Sequence, residues 1–207
     1  MKISFRSAPG IASPSCNIIL FLIFLIPLLA LSKRMLPRQF PGDIIINHES
    51  FIVDYNTAHR QARWNYYIIT ADRRYGQAKR KTAFRDDPGL PAGQSCRDSD
   101  YKRSGWDRGH LAPAEDLSYS RKAMSESFFL SNVSPQDPGF NRGIWKRLEA
   151  QVRAWKNNAD TLHVITGGHL HAKLPRLKGS VSVPDKFYKV VLAKDAAGNL
   201  KAIAFLL

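Results

Sequence analysis

The longest unbroken apolar run lies near the front of the chain, from Ile18 to Leu31, and later apolar residues come in shorter, patterned groups. Phe51–Tyr55 and Trp64–Thr70 are rich in β-branched and aromatic residues and predict two strands. Thr161–Thr166, Val181–Leu192 and Lys201–Leu207 predict three more. Between Asn141 and Asn157 the apolar residues Ile144, Leu148, Val152 and Trp155 recur at helical spacing, which predicts a helix with one buried stripe. Asn141, Trp145 and Glu149 then climb a neighbouring face of that helix within two turns. A shorter helix is predicted at Ser120–Ser127. Residues 33–49, rich in Pro, Arg and Gly, read as a linker. Residues 71–106 read as long loops, broken by Asp87–Pro91 and carrying Arg73, Arg74, Lys79, Arg80, Lys81 and Arg85. No internal repeat is visible.

The apolar run follows the basic residues Lys2 and Arg6 and ends at Ala30, Leu31 and Ser32. That order predicts an export signal over residues 1–32, with a short N-terminal membrane anchor at 18–31 as the alternative. The run is shorter than the roughly 20 residues a spanning helix needs, so a multi-pass membrane protein is excluded. The expectation is one domain over residues 50–207, secreted or periplasmic. At 44% hydrophobic and 11% aromatic the chain is too apolar for intrinsic disorder. Charge changes the picture: 31 Lys and Arg against 17 Asp and Glu give +14, and +12 remains after residues 1–32 are set aside. Such an excess draws a protein to polyanions such as nucleic acid, anionic lipid or acidic polysaccharide. The two cysteines are Cys16, inside the presumed signal, and Cys96, in the loop-like stretch Gly93–Asp100, so no internal disulfide is expected and Cys96 reads as incidental.

Candidate chemistry gathers at Tyr101–Ala114, where Asp107, Arg108 and His110 surround Gly109, a residue that permits a tight backbone geometry. A second group follows at Phe129–Gln136 and a third at Asn141–Glu149 on the long helix. Elsewhere, His169 and His171 are spaced to clip a transition metal as a strand pair, but with no third ligand nearby. His163 reads as a structural residue inside a strand, and His48 and His59 carry no motif.

Asp-Arg-Gly-His at Asp107–His110, Ser-Asn-x-x-Pro-Gln at Ser131–Gln136 and Asn-x-x-x-Trp-x-x-Leu-Glu at Asn141–Glu149 stand in this order, with Val164–Gly167 and Val183–Val190 downstream. With these motifs the chain resembles the DNA/RNA non-specific endonucleases, a family of ββα-metal nucleases, from about Phe51 to its end. The resemblance implies an α+β fold, a mostly antiparallel sheet with flanking helices, in which the His110 strand and loop face the helix beginning near Asn141. It implies an endonuclease acting on DNA and RNA with little sequence specificity, dependent on Mg²⁺ with Mn²⁺ as a substitute and using no small organic cofactor. His110 is then the general base, Asn141 the metal ligand, Glu149 a partner of the metal's waters, and Arg108 a phosphate contact supported by Asn132. The family also places an arginine ahead of the catalytic loop, a place for which Arg80 and Arg85 compete. Asp107 either orients its neighbours or pairs with a basic residue, and Trp145 packs in the core beside the site. Family members commonly continue past the point where this chain stops, which leaves open a missing terminal element. A homodimer and an inhibitor protein are left open as well.

Elementary chemistry is consistent with those roles. Hydrolysis of a phosphodiester needs a deprotonated water, a cation on the charge that builds at phosphorus, and help for the departing oxygen. A neutral histidine accepts a proton near its reference pKa of about 6.5. Mg²⁺ needs few protein oxygens because it keeps several waters, and an arginine fork matches phosphate. Two rival readings remain: a non-catalytic DNA-binding module, and a phosphodiesterase for small phosphoesters.

Overall fold

A computed structural model describes residues 36–73, 75–80 and 83–207. The predicted signal or anchor, Cys16, Arg74 and Lys81 lie outside the described residues. In chain order the strands are β1 (Ile44–Asn47), β2 (Phe51–Asn56), β3 (Gln61–Thr70), β4 (Asp107–His110), β5 (Val133–Gln136), β6 (Thr161–Gly168), β7 (Arg176–Leu177), β8 (Val181–Ser182), β9 (Phe187–Lys194) and β10 (Leu200–Leu206). The α-helices of four or more residues are α1 (Asp98–Tyr101), α2 (Arg121–Glu126) and α3 (Lys146–Trp155).

Six strands form one sheet in the order β1-β2-β3-β6-β9-β10, every pair antiparallel. Alternation along β3 and β6 turns Tyr67, Ile69, Leu162 and Val164 to one face, where Trp145, Leu148 and Val152 cover them. β4 and β5 form a separate antiparallel pair, His110 opposite Val133, and the chain then enters the helical segment that ends with α3. This two-strand and helix unit, packed beside a mainly antiparallel sheet, is the ββα-metal arrangement expected from the motifs.

Four local expectations are corrected. The stretch read as a linker contains β1, which pairs with β2 from Ile44 opposite Tyr55. Its apolar core of Ile44–Ile46 is too short to show a period. The strand expected over Val181–Leu192 is split into β8 and β9, because Pro184 between them has no N–H to give a ladder. Cys96 is not incidental: it is fully buried with Tyr101, Leu130 and Val181, and burial pushes its thiol up to about 12. The buried stripe of the long helix starts at Trp145 rather than Ile144, which is 42% exposed. Asn141–Trp145 forms a wide turn in which Gly143 leaves helical geometry at φ −98° and ψ −107°, so Ile144 swings out and Trp145 takes the inward place.

Candidate active site

β4 delivers Asp107, Arg108 and His110, and the wide turn with α3 delivers Asn141 and Glu149. Between them lies a cleft of about 720 Å³, where Arg80, Arg108, His110, Asn141 and Glu149 meet. Glu115, Arg142 and Arg153 also line it.

The register of β4 on β5 explains why His110 is held firmly. Gly109 lies opposite Ser134, and a Cβ there would collide with the buried Gln136 side chain. Glycine is therefore required by a close approach and not by an unusual φ, a different reason from the one the sequence suggested. His110 is buried, with its ring 5.3 Å from Phe84 and 5.0 Å from Phe128, centroid to centroid. Its Nε2 has no hydrogen-bond partner among the described residues. Burial, helped by the nearby Arg80 charge, pushes its pKa down to about 3. The imidazole is thus neutral at physiological pH, with a free nitrogen.

Asp107 does both things expected of it. One carboxylate oxygen accepts from Asn141 Nδ2 at 2.9 Å, and the pair of oxygens accepts from Arg142 Nε at 2.8 Å and Nη2 at 2.6 Å. Those bonds hold Asp107 below the usual carboxylate range. By pinning Nδ2, they also leave the Asn141 amide oxygen as the end not tied to Asp107. Arg108 donates from Nε to Asp98 Oδ1 at 2.6 Å and from Nη2 to the Asp98 carbonyl at 3.0 Å. A phosphate reaching Arg108 must compete with this exposed carboxylate.

Glu149 sits in a charged network that the motifs did not announce. Burial raises its pKa, against the pull of the Lys189 ammonium. Lys189 is fully buried, 4.6 Å from the Trp145 ring, and burial lowers its pKa in turn. Asp116, also buried, is ion-paired to Arg153, which reaches Glu115 at 3.0 Å. Arg153 was within reach of sequence reasoning, four residues after Glu149 on the same helix.

Two expected site residues lie elsewhere. Asn132 is completely buried and does not reach the cleft. Its Oδ1 accepts from the Ala112 N–H and from Asn65 Nδ2, and its Nδ2 donates to the Ala112 and Ser127 carbonyls, all at 2.8–2.9 Å. It therefore fixes the chain just after His110. Asn132→Ala strands those four groups, so urea unfolding should show a loss of about 2–3 kcal/mol. Arg85 is excluded from the cleft as well: its main chain pairs with Phe128 and Leu130, and its Nη2 donates to Ser125 at 2.9 Å. Of the two, Arg80 lines the cleft.

The amide oxygen of Asn141 and the carboxylate of Glu149 are hard oxygen donors, which suits Mg²⁺. Among the described residues another group, His169, His171 and Asp185, brings one donor atom each within 4.8 Å of the others, and none of them lines the cleft. The expectation that no third donor sits near the two histidines is corrected by the Asp185 carboxylate, which the fold brings back from further along the chain.

The chain resembles known proteins along most of this length. Nuclease EXOG of Danio rerio, named as mitochondrial, is 35% identical over 169 residues, 75% of this chain and 49% of that protein. Endonuclease G of Homo sapiens, also named as mitochondrial, is 33% identical over 167 residues, 75% of this chain and 56% of that protein. The chain thus spans about half the length of these curated relatives. A chain in a crystal structure of the EndoG/EndoGI complex superposes with a TM-score of 0.75 and 31% identity, covering 81% of this chain and 75% of that one. The mitochondrial names overturn the expectation of a secreted or periplasmic protein. The profile of the metal-dependent DNA/RNA non-specific endonucleases matches residues 32–207, and the chain belongs to that family.

Proposed function

We propose that this chain is a metal-dependent endonuclease that hydrolyses phosphodiester bonds of DNA and RNA with little sequence specificity. One observation carries the reading: a single cleft brings together the buried neutral His110, the oriented Asn141 amide, the Glu149 carboxylate and the guanidinium groups of Arg80 and Arg108. His110 takes a proton from the attacking water. Arg80 and Arg108 donate to the phosphate oxygens, Arg108 exchanging Asp98 for substrate. Phosphate beside Arg80 offsets the positive charge that depresses His110, so substrate binding itself raises the basicity of the imidazole. Asn141 would hold Mg²⁺, or Mn²⁺ in its place, with Glu149 on the neighbouring turns. The ion, when bound, supplies positive charge where negative charge builds at phosphorus. Asp107 keeps the Asn141 amide turned for that role. Contacts to phosphate do not read bases, and they weaken as salt rises, so cleavage should be broad in sequence and sensitive to salt.

Nicking of a supercoiled plasmid, and digestion of matched RNA, test the proposal. Both should require the divalent ion and stop with chelator. Binding without nicking would instead support a DNA-binding module, and turnover of small esters alone would support a phosphodiesterase. The dependence of rate on Mg²⁺ separates the roles within the site. Asn141→Ala should be relieved in part by high Mg²⁺, whereas His110→Ala should stay slow at every concentration. Identical curves would refute the division of roles.

A further inference from the structure

We propose that His169, His171 and Asp185 form a second metal site, outside the cleft, for a borderline transition-metal ion of the Zn²⁺ class. His169 follows β6 directly, and its N–H donates to the Lys186 carbonyl at 2.9 Å, continuing the ladder between β6 and β9. That bond places Asp185 beside it. His169 Nδ1 lies 3.0 Å from Asp185 Oδ1, and His171 Nε2 lies 3.7 Å from Asp185 Oδ2. One ligand atom from each residue falls within 4.8 Å of the others. Ligands about 2.1 Å from a tetrahedral ion are roughly 3.4 Å apart, so the cluster needs only small side-chain shifts to close on a metal.

The chemistry of the donors selects the ion. Two imidazoles and one carboxylate suit Zn²⁺, Co²⁺ or Ni²⁺, whereas Mg²⁺ and Ca²⁺ prefer oxygen. His169 and Asp185 are exposed and His171 is partly so, which leaves a fourth position for water. The histidine beside it holds Asp185 below the usual carboxylate range, in its ligating form. Ligation through His171 Nε2 puts that ring's proton on Nδ1, and the long 3.3 Å contact from the Lys173 N–H is given up. A bound ion would brace the ends of β6 and β9. Just inside them Phe187 stacks on Phe140 at 5.3 Å and packs on Trp145 at 5.8 Å, at the turn that carries Asn141.

The site does not depend on the nuclease reading, and its test does not use turnover. Zn²⁺ is titrated calorimetrically into the full chain in excess Mg²⁺, beside His169→Ala, His171→Ala, Asp185→Asn and the cleft variant Asn141→Ala. One Zn²⁺ should bind the wild type and Asn141→Ala alike. It should bind each of the other three more weakly by over 100-fold, a larger loss than the roughly 10- to 100-fold typical of outer-shell partners. Zn²⁺ should also raise the Tm of the wild type, but not of those three variants. The proposal is overturned if the wild type binds no Zn²⁺, or if Asp185→Asn and both histidine variants bind it unchanged. Mg²⁺-dependent nicking by His169→Ala, expected at the wild-type rate, keeps a failure here separate from a failure of the nuclease proposal.

Discussion

His110→Ala should lower kcat for plasmid cleavage by about 10² to 10⁴, the usual range for loss of an acid or base group. DNA binding and the response to Mg²⁺ should persist, because the variant leaves Arg80, Arg108, Asn141 and Glu149 in place. The truncation opens a small space lined by Phe84 and Phe128, so added imidazole should restore part of the rate. Circular dichroism and a melting curve establish that the variant is folded. Cleavage near the wild-type rate would remove His110 from the mechanism.

The depressed pKa of His110 adds a second readout. The active form is the neutral imidazole, so the rate is retained above the folded pKa and lost as pH falls through it. With that pKa near 3 in the free protein, the contribution of His110 to the acid limb of kcat/KM lies well below 6.5. In the substrate complex the phosphate opposes Arg80, and the corresponding limb of kcat should lie higher. Stability follows the same linkage. The unfolded chain binds a proton at His110 that the folded chain refuses between about 6.5 and 3, so this residue weakens the fold as pH falls across that interval. His110→Ala should flatten that part of the stability profile. Coincident limbs for kcat and kcat/KM would argue against the coupling between phosphate and Arg80.

The residues that the sequence could bring together are those set by short stretches of chain. Asp107, Arg108 and His110 share one strand, and Asn141 and Glu149 lie two turns apart on one helical segment, so spacing alone brings each set to one side of the cleft. The longer strands were legible for the same reason, whereas β1, β5 and β7 were too short to show a period and a proline divided β8 from β9. What spacing could not show is where long loops return. Arg80 and Arg85 both stand in the same basic loop of the sequence, and the pairing of Arg85 with Phe128 and Leu130, with its bond to Ser125, keeps it out of the cleft that Arg80 lines. Asn132 stands in a recognisable motif, yet its burial makes it a scaffold for the chain after His110. Asp185 reaches the two histidines through the pairing of β6 with β9, a contact that the local pattern does not contain.

Lys189 was legible in one respect: on β9 the inward positions are Phe187, Lys189 and Val191, so a lysine occupies a place in the alternation reserved for apolar side chains. Such a charge persists where anions share its interior, and here they are Glu149 and Asp116, the latter ion-paired to Arg153. Lys189→Met keeps most of the stem that packs against Trp145 and removes the ammonium. Breaking one side of a buried charge set costs about 3–5 kcal/mol, and the loss should depend on pH. Glu149 has its pKa raised by burial and lowered by Lys189, so the variant holds its proton to higher pH than the wild type. A folded-state pKa above the unfolded value gives stability at low pH that is lost as pH rises through it. The stability gap between wild type and Lys189→Met should therefore widen from pH 5 to pH 8 in urea unfolding. Because a protonated Glu149 cannot act as a carboxylate in the cleft, the acid limb of the Mg²⁺-dependent rate should move to higher pH in the same variant. A gap independent of pH, with an unmoved acid limb, would show that Lys189 serves the packing around Trp145 alone.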